Sequence, residues 1–261
     1  MHIFYFVISL AASIVGAISG IGGGVIIKPV LDSIGSFDVR TISFLSGNTV
    51  LAMTISTLVQ SRKNEIRIDK KKSTFLALGG IIGGLMGKYL FDIIRSTHGN
   101  EQLIGGTQSL LLMLLIGGVI VFTVYKEKIK PHRFGNIFFC ISTGVLLGGI
   151  ASFLGIGGGP INLTILYLFF AMDSKSAALN SIYIIFFSQL TNLIFTVVMG
   201  NVPEFPPLTM LLMITGGVVG GITGSMITKR MSHKGVDYLF TGVMVVIVFI
   251  NLCNFIRWIL L

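Results

Sequence analysis

Charge is what this sequence has least of. Only 11% of its 261 residues are Asp, Glu, Lys or Arg, against roughly a quarter in an ordinary soluble domain. That scarcity excludes a water-solvated surface over most of the chain. Acidic residues are the rarer, ten against 19 basic ones, for a formal charge of +9. The excess does not point to nucleic acid, because the basic residues do not share one amphipathic face. Thirteen of the 19 fall in three short polar loops, as topology-setting charges in membrane proteins do. Cysteine is nearly absent. Cys140 and Cys253 both sit in apolar runs away from any His or second Cys, which excludes a disulfide framework and a thiolate metal site. The four histidines, His2, His98, His132 and His233, lie at the terminus or in loops, so no histidine relay crosses the apolar runs. No Ser/His pair, paired Asp or His-Glu metal constellation occurs inside those runs, so neither an enzyme nor a cofactor is expected. The first segment lacks a Lys or Arg before its apolar stretch and reads as a mature membrane segment rather than a cleaved leader.

Hydrophobic residues make up 53% of the chain, at a mean hydropathy of +0.90. Runs long enough to cross about 30 Å of hydrocarbon need about 20 residues. They are read at 3–20, 39–60, 73–94, 104–125, 134–155, 175–199, 207–228 and 236–260. Two shorter pieces, 25–34 and 160–172, look like half-helices.

Each short piece follows the same phrase. Gly-Ile-Gly-Gly-Gly stands at Gly20–Gly24 and again at Gly155–Gly159. A shift of 135 residues also carries Asp38 onto Asp173, Arg40 onto Lys175 and Ser46 onto Ser181. A shift of 137 carries the glycine-rich stretch Gly79–Gly87 onto Gly216–Gly224. Those longer stretches have small residues at four-residue spacing and suit close helix packing. The chain is therefore read as two homologous halves, 1–130 and 131–261, forming one transport unit, each with a helix broken at membrane depth. Such paired breaks mark a binding site at a repeat interface.

The loops orient the halves. Ser61–Lys72 holds six basic residues, Lys126–Arg133 four and Lys229–Lys234 three, whereas Gly200–Pro207 holds none. If each glycine phrase turns the chain back, all three basic loops share the cytoplasmic side, as the positive-inside rule asks. The halves then form inverted repeats; eight plain spans with parallel halves is the alternative.

Three adjacent glycines cost a helix roughly 1 kcal/mol each, and the backbone they free must find partners in a bilayer. Where a half-helix restarts, its first amides lack acceptors and carry about +0.5 charge from the helix dipole. Two such ends suit a small oxyanion. The expected binding groups are Gly22, Gly23 and Gly24 with Gly157, Gly158 and Gly159, refined by Asn48, Asn162, Gln189 and Asn192. Asp38 and Asp173 precede helical runs and read as helix caps or as coupling-ion sites. Lys28 either adds positive potential near the first break or snorkels to the interface. Lys88 and Arg257, toward span ends, are expected to snorkel.

These phrases resemble the TauE/SafE sulfite-exporter family. Gly16-Ala17-Ile18-Ser19-Gly20-Ile21-Gly22-Gly23-Gly24, with Pro29-Val30-Leu31 behind it, is similar to that family's first-half signature. Ala151-Ser152-Phe153-Leu154-Gly155-Ile156-Gly157-Gly158-Gly159-Pro160 is similar to its second. The resemblance covers nearly the whole chain. It implies a multi-pass plasma-membrane transporter for a small sulfur oxyanion of the sulfite, thiosulfate or sulfonate class, with the lipid bilayer as its other partner. With no carboxylate placed at mid-span, export down the inside-negative potential is the expected direction. A passive anion channel and a proton-coupled importer are the alternatives. The sequence does not decide which anion, which coupling ion, or whether the chain forms a homo-oligomer.

Overall fold

The computed structural model describes residues 2–35, 37–62, 68–98, 101–156 and 159–260. Within them all regular structure is helical: α1 (His2–Ser19), α2 (Gly24–Ile34), α3 (Val39–Ser61), α4 (Lys70–His98), α5 (Glu101–Tyr125), α6 (Ile137–Phe153), α7 (Pro160–Phe170), α8 (Ser174–Val198), α9 (Pro207–Arg230) and α10 (His233–Leu260). Seven of these, α1, α3, α4, α5, α8, α9 and α10, are long and apolar enough to cross a bilayer. Large apolar side chains such as Leu90, Leu114, Leu146 and Phe249 are exposed. So much bare hydrocarbon is compatible with lipid rather than water. The helix ends lie within a few residues of the apolar runs. α4 outruns its apolar stretch at both ends, reaching His98 and starting at Lys70, where the Asp69 carboxylate accepts the Lys72 amide at 3.2 Å and so caps the first turn; α6, at 17 residues, is shorter than the full crossing expected over 134–155.

α1 stops where Gly20 adopts φ +76° and its amide donates to the Gly16 carbonyl at 2.9 Å. α6 stops in the same way, with Gly155 at φ +66°. Glycine takes this left-handed conformation without the side-chain clash that would oppose it. In neither case does the next helix continue outward. Phe37, just beyond α2, packs on Tyr5 near the start of α1, with ring centroids 5.9 Å apart. Phe169, near the end of α7, packs on Phe139 near the start of α6 at 5.3 Å. The His132 amide donates to the Leu168 carbonyl at 2.7 Å. α1–α2 and α6–α7 are thus hairpins whose bases are closed by aromatic contacts.

The two tips meet. A Cβ on Gly24 would lie 2.5 Å from the Ile156 carbonyl oxygen, and one on Gly159 would lie 2.7 Å from the Val25 side chain. Ile21, Val25, Leu154 and Ile156 share one buried cluster with Phe240 and Met244 of α10. The bases, by contrast, sit at opposite ends of α8. Arg40, beside the first base, donates to the Asn201 carbonyl just past the C-terminus of α8 at 2.5 Å. The second base leads through Asp173 directly into the N-terminus of α8. The 25 residues of α8 extend about 37 Å at 1.5 Å each.

The basic loops gather at the second base. Lys126 pairs with Asp237 at 2.5 Å, His233 with Asp173 at 3.2 Å, and the Asp69 amide donates to Asn180 at 2.9 Å. The rest of each half is interlocked with the other, since α9 packs along α1 and α4 along α6.

Asp38 and Asp173 cap helices at the two ends. Asp38 accepts the Thr41 amide at 3.1 Å and pairs with Arg95 at 3.2 Å. Asp173 accepts the amides of Lys175 and Ser176, each at 3.1 Å. Partial burial pushes both carboxyls up, but it is outweighed. The Thr41 and Arg95 contacts hold Asp38 below its ordinary value of 3.8, and the Ser176 contacts and His233 do the same for Asp173. A depressed carboxylate adds stability that is complete above its unfolded pKa and lost as pH falls through its folded pKa.

Asp173→Ala should therefore lower stability by about 1 kcal/mol at neutral pH, with the difference from the parent closing in strong acid; thermal unfolding in detergent at both pH values measures it. Gly20→Ala should destabilise, since a Cβ there meets the Ala178 side chain at 2.6 Å and its left-handed backbone adds about 1–2 kcal/mol. Gly117→Ala, with nothing within 4 Å of the added atom, should instead stabilise α5 by up to about 1 kcal/mol. Equal melting temperatures for the two glycine variants would contradict the packed-tip geometry.

Candidate functional site

Helical periodicity puts Arg40, Phe44, Gly47 and Asn48 on one face of α3, and Gln189, Asn192, Leu193 and Thr196 on one face of α8. Between these faces lies a cavity of about 100 Å³, closed laterally by Lys88, Phe91 and Asp92 of α4 and by Ser152, Phe153 and Gly155 at the end of the α6 arm. At about 30 Å³ per water, it has room for a small polyatomic ion or a few waters. Its lining extends to Asn201 and Pro203, at the end of the bundle away from the basic loops.

The walls are polar and net positive. Lys88 donates to the Thr196 hydroxyl and to the Asn192 carbonyl at 3.4 Å, and lies 5.6 Å from the Phe195 ring centroid. The Ser152 hydroxyl donates to the Asn192 side-chain oxygen at 3.3 Å. Arg40 and Lys88 against the single carboxylate of Asp92 leave one excess positive charge on the lining. In a low-dielectric wall this attracts an anion far more than it would in water.

Behind the floor sits a second set of charges. The Lys28 ammonium is 3.1 Å from Asp32 and donates to Gln108 at 3.0 Å; Gln108 in turn donates to the Phe153 carbonyl at 2.8 Å. Lys28 and Asp32 are 3% and 7% exposed, so this ion pair lies inside the apolar bundle. Lys28 does not snorkel: a Cβ on Gly155 would lie 3.1 Å from its Cε. Asp32 is a buried carboxylate, two residues from the end of α2, that was not among the groups expected from sequence. Its Oδ1 is buried and without a hydrogen-bond partner among the described residues. The i,i+4 spacing of Lys28 and Asp32 in a short apolar helix was the available signal. Their link to Gln108, 80 positions away, left none. Lys88 likewise points into the cavity rather than out to the interface.

Of the binding groups expected from sequence, Asn48, Gln189 and Asn192 come together on this lining. Gly22 lies against Ile185, Gly23 against the Ala12 carbonyl and Gly24 against Ile156, all three buried behind the wall. Gly159 packs on Val25, and Asn162 is buried at 3% exposure; neither borders the cavity. Gly157 and Gly158 lie outside the described residues. Asp38 and Asp173 cap helices at the two ends of the bundle rather than lining it. Among the described residues no cluster of His, Cys, Asp and Glu is arranged to hold a metal.

The family model for the sulfite exporter TauE/SafE matches residues 5–251. The chain belongs to the TauE/SafE family. A curated relative, the Probable membrane transporter protein YunE of Bacillus subtilis (strain 168), is 25% identical over 262 residues, covering 92% of this chain and 93% of its own length. No solved structure matches. This TauE/SafE protein is accordingly a multi-pass membrane transporter.

Removing one partner of a buried ion pair typically costs about 3–5 kcal/mol, whereas replacing both with apolar groups is often neutral. Lys28→Met should therefore destabilise the purified protein strongly, and Lys28→Met combined with Asp32→Leu should recover most of the loss. Thermal unfolding of the single and double variants checks this; an equally unstable double variant would show that the pair does not act as a unit.

Proposed function

We propose that this transporter carries a small sulfur oxyanion, of the sulfite, thiosulfate or sulfonate class, through the cavity between α3, α4, α6 and α8. The two halves, 1–130 and 131–261, act as inverted repeats, with the glycine hairpins entering the bilayer from opposite faces and the basic loops cytoplasmic. The carrying observation is the net-positive polar lining of that cavity, bounded on one side by the end of the α6 arm of the second hairpin. Arg40 and Lys88 supply charge, and Asn48, Gln189, Asn192 and Ser152 supply donors that a tetrahedral or pyramidal oxyanion accepts. The buried glycines Gly22–Gly24 and Gly159 serve this site by letting the tips pack closely and keep the helix breaks covered. The family's name supports sulfur chemistry. Outward movement is favoured by the membrane potential, worth about 2.3 kcal/mol per charge per 100 mV.

Asp32 supports a second reading, proton-coupled import, because one of its oxygens has no hydrogen-bond partner among the described residues and Lys28 joins it to Gln108 on the cavity lining.

Flux of labelled sulfite, thiosulfate and methanesulfonate into proteoliposomes, with chloride as control, tests both. Saturable sulfur-anion flux insensitive to a proton gradient is the expected result. Acceleration by an inward proton gradient, abolished in Asp32→Asn, would favour the importer, and unitary currents in planar bilayers would favour a channel. Each charge-assisted hydrogen bond is worth about 1.5–3 kcal/mol. Arg40→Gln and Lys88→Met should therefore each reduce flux about tenfold or more at subsaturating anion; unchanged flux in both would remove this cavity from the pathway.

A further inference from the structure

We propose that a second, smaller cavity is the cytoplasmic mouth of the same anion pathway, shut in this conformation, with Thr57, Ser61, Lys175 and Ser225 as its anion-facing groups. The proposal rests on the transporter reading and on the repeat relation. This cavity, of about 20 Å³, lies between α1, α3, α8 and α9.

Its walls repeat those of the larger one. Under the shift of 135, Lys175 answers Arg40, Thr57 answers Asn192, and Ser61 answers Thr196; under the shift of 137, Ser225 answers Lys88. The remaining lining residues obey the same shifts, so every wall position of the small cavity has its counterpart in the wall of the large one. Two unrelated crevices would not correspond in this way.

The two cavities differ in how far their helices have closed. At the α3–α9 contact, a Cβ on Gly217 or Gly221 would lie 2.6 Å from the carbonyl oxygens of Thr49 and Met53 respectively. The counterpart contact is α8–α4. There, a Cβ on Gly80 or Gly84 would find its nearest atoms, Ser188 Oγ and Asn192 Oδ1, at 3.4 and 3.9 Å. One pair of helices is pressed backbone to backbone, and in its mate the nearest atoms, both of side chains, stand roughly 1 Å farther off.

Hydrogen bonds follow the same asymmetry. Thr57 donates across the closed contact to the Gly221 carbonyl at 3.3 Å. Ser181 donates to the Gly20 carbonyl at the first hairpin's tip at 2.7 Å. The counterpart of Ser181 is Ser46, which is 1% exposed, and its hydroxyl has no hydrogen-bond partner among the described residues. By the repeat relation, its partner is the Gly155 carbonyl at the second tip. That bond is available only once the large cavity closes. Exchanging the two arrangements releases Ser181 from Gly20, joins Ser46 to Gly155, closes α8–α4 and opens α3–α9 toward the basic loops. A small oxyanion would then leave past the hydroxyls of Thr57, Ser61 and Ser225 and the Lys175 ammonium.

The test needs no ligand. In a background with Cys140 and Cys253 replaced by Ala, Ser152→Cys and Ser225→Cys report the large and small cavities to an impermeant maleimide applied to vesicles of each sidedness. Gly221→Ala wedges the closed contact, and Gly84→Ala obstructs closure of the open one. Gly221→Ala should raise cytoplasmic labelling at Ser225→Cys several-fold and lower outer labelling at Ser152→Cys; Gly84→Ala should do the reverse. The proposal is overturned if both sites label from one side, or if the two rates move together in either wedge variant. Sulfur-anion flux is measured separately in the parent protein. Parent flux without reciprocal labelling defeats this inference alone, and reciprocal labelling without flux defeats the assigned substrate alone.

Discussion

A bilayer offers no hydrogen-bond partners to a broken helix, and every feature of this transporter follows from how two such breaks are covered. Each unsatisfied backbone group in hydrocarbon costs several kcal/mol, and the glycine phrases interrupt helix between Ser19 and Gly24 and again between Phe153 and Pro160. The fold covers each break with the other. Gly24 meets the Ile156 carbonyl, Gly159 meets Val25, and Ile21 and Ile156 lie in one buried cluster. Because a side chain at these positions would hold the tips apart, glycine here is a packing requirement before it is anything chemical.

Tip-to-tip contact leaves room beside the tips rather than at them. α3 and α8 run past the meeting point, and where α8 stands away from α4 a net-positive, amide- and hydroxyl-lined space opens. Lys28 and Asp32 lie one layer behind, their charges compensating each other inside the bundle. The arrangement keeps the cavity attractive to an anion through Arg40 and Lys88 while leaving no lone charge deep in the hydrocarbon. A solute-sized space and a buried ion pair thus share one partition, made by Gly155, Gln108 and Phe153.

The duplicated glycine phrase, the caps at Asp38 and Asp173 and the grouping of basic loops were all readable in the chain, because each is a local pattern. The helix lengths were readable to within about four residues at each end, except that α6 falls short of the full crossing expected over 134–155. What could not be read was which way the breaks face. Glycines at a helix interruption can line a cavity or fill a contact, and only the partner surface decides; here Ile185, Ala12 and Ile156 occupy the space beside Gly22, Gly23 and Gly24. Asn48, Gln189 and Asn192 were identified as polar groups on long apolar helices, and such groups have few places to point other than a shared interior. The Lys28–Gln108 contact joins two halves of the first repeat through a fold that no periodicity encodes.

The two hairpins touch at their tips and keep their bases at opposite ends of the bundle. Pulsed electron-spin distances between labels at Phe37 and Phe134, in a background without Cys140 and Cys253, measure that separation. The expected distance is near the length of α8, about 37 Å at 1.5 Å per residue. A distance below about 20 Å, less than the span of a bilayer's hydrocarbon core, would put both bases on one face and contradict it.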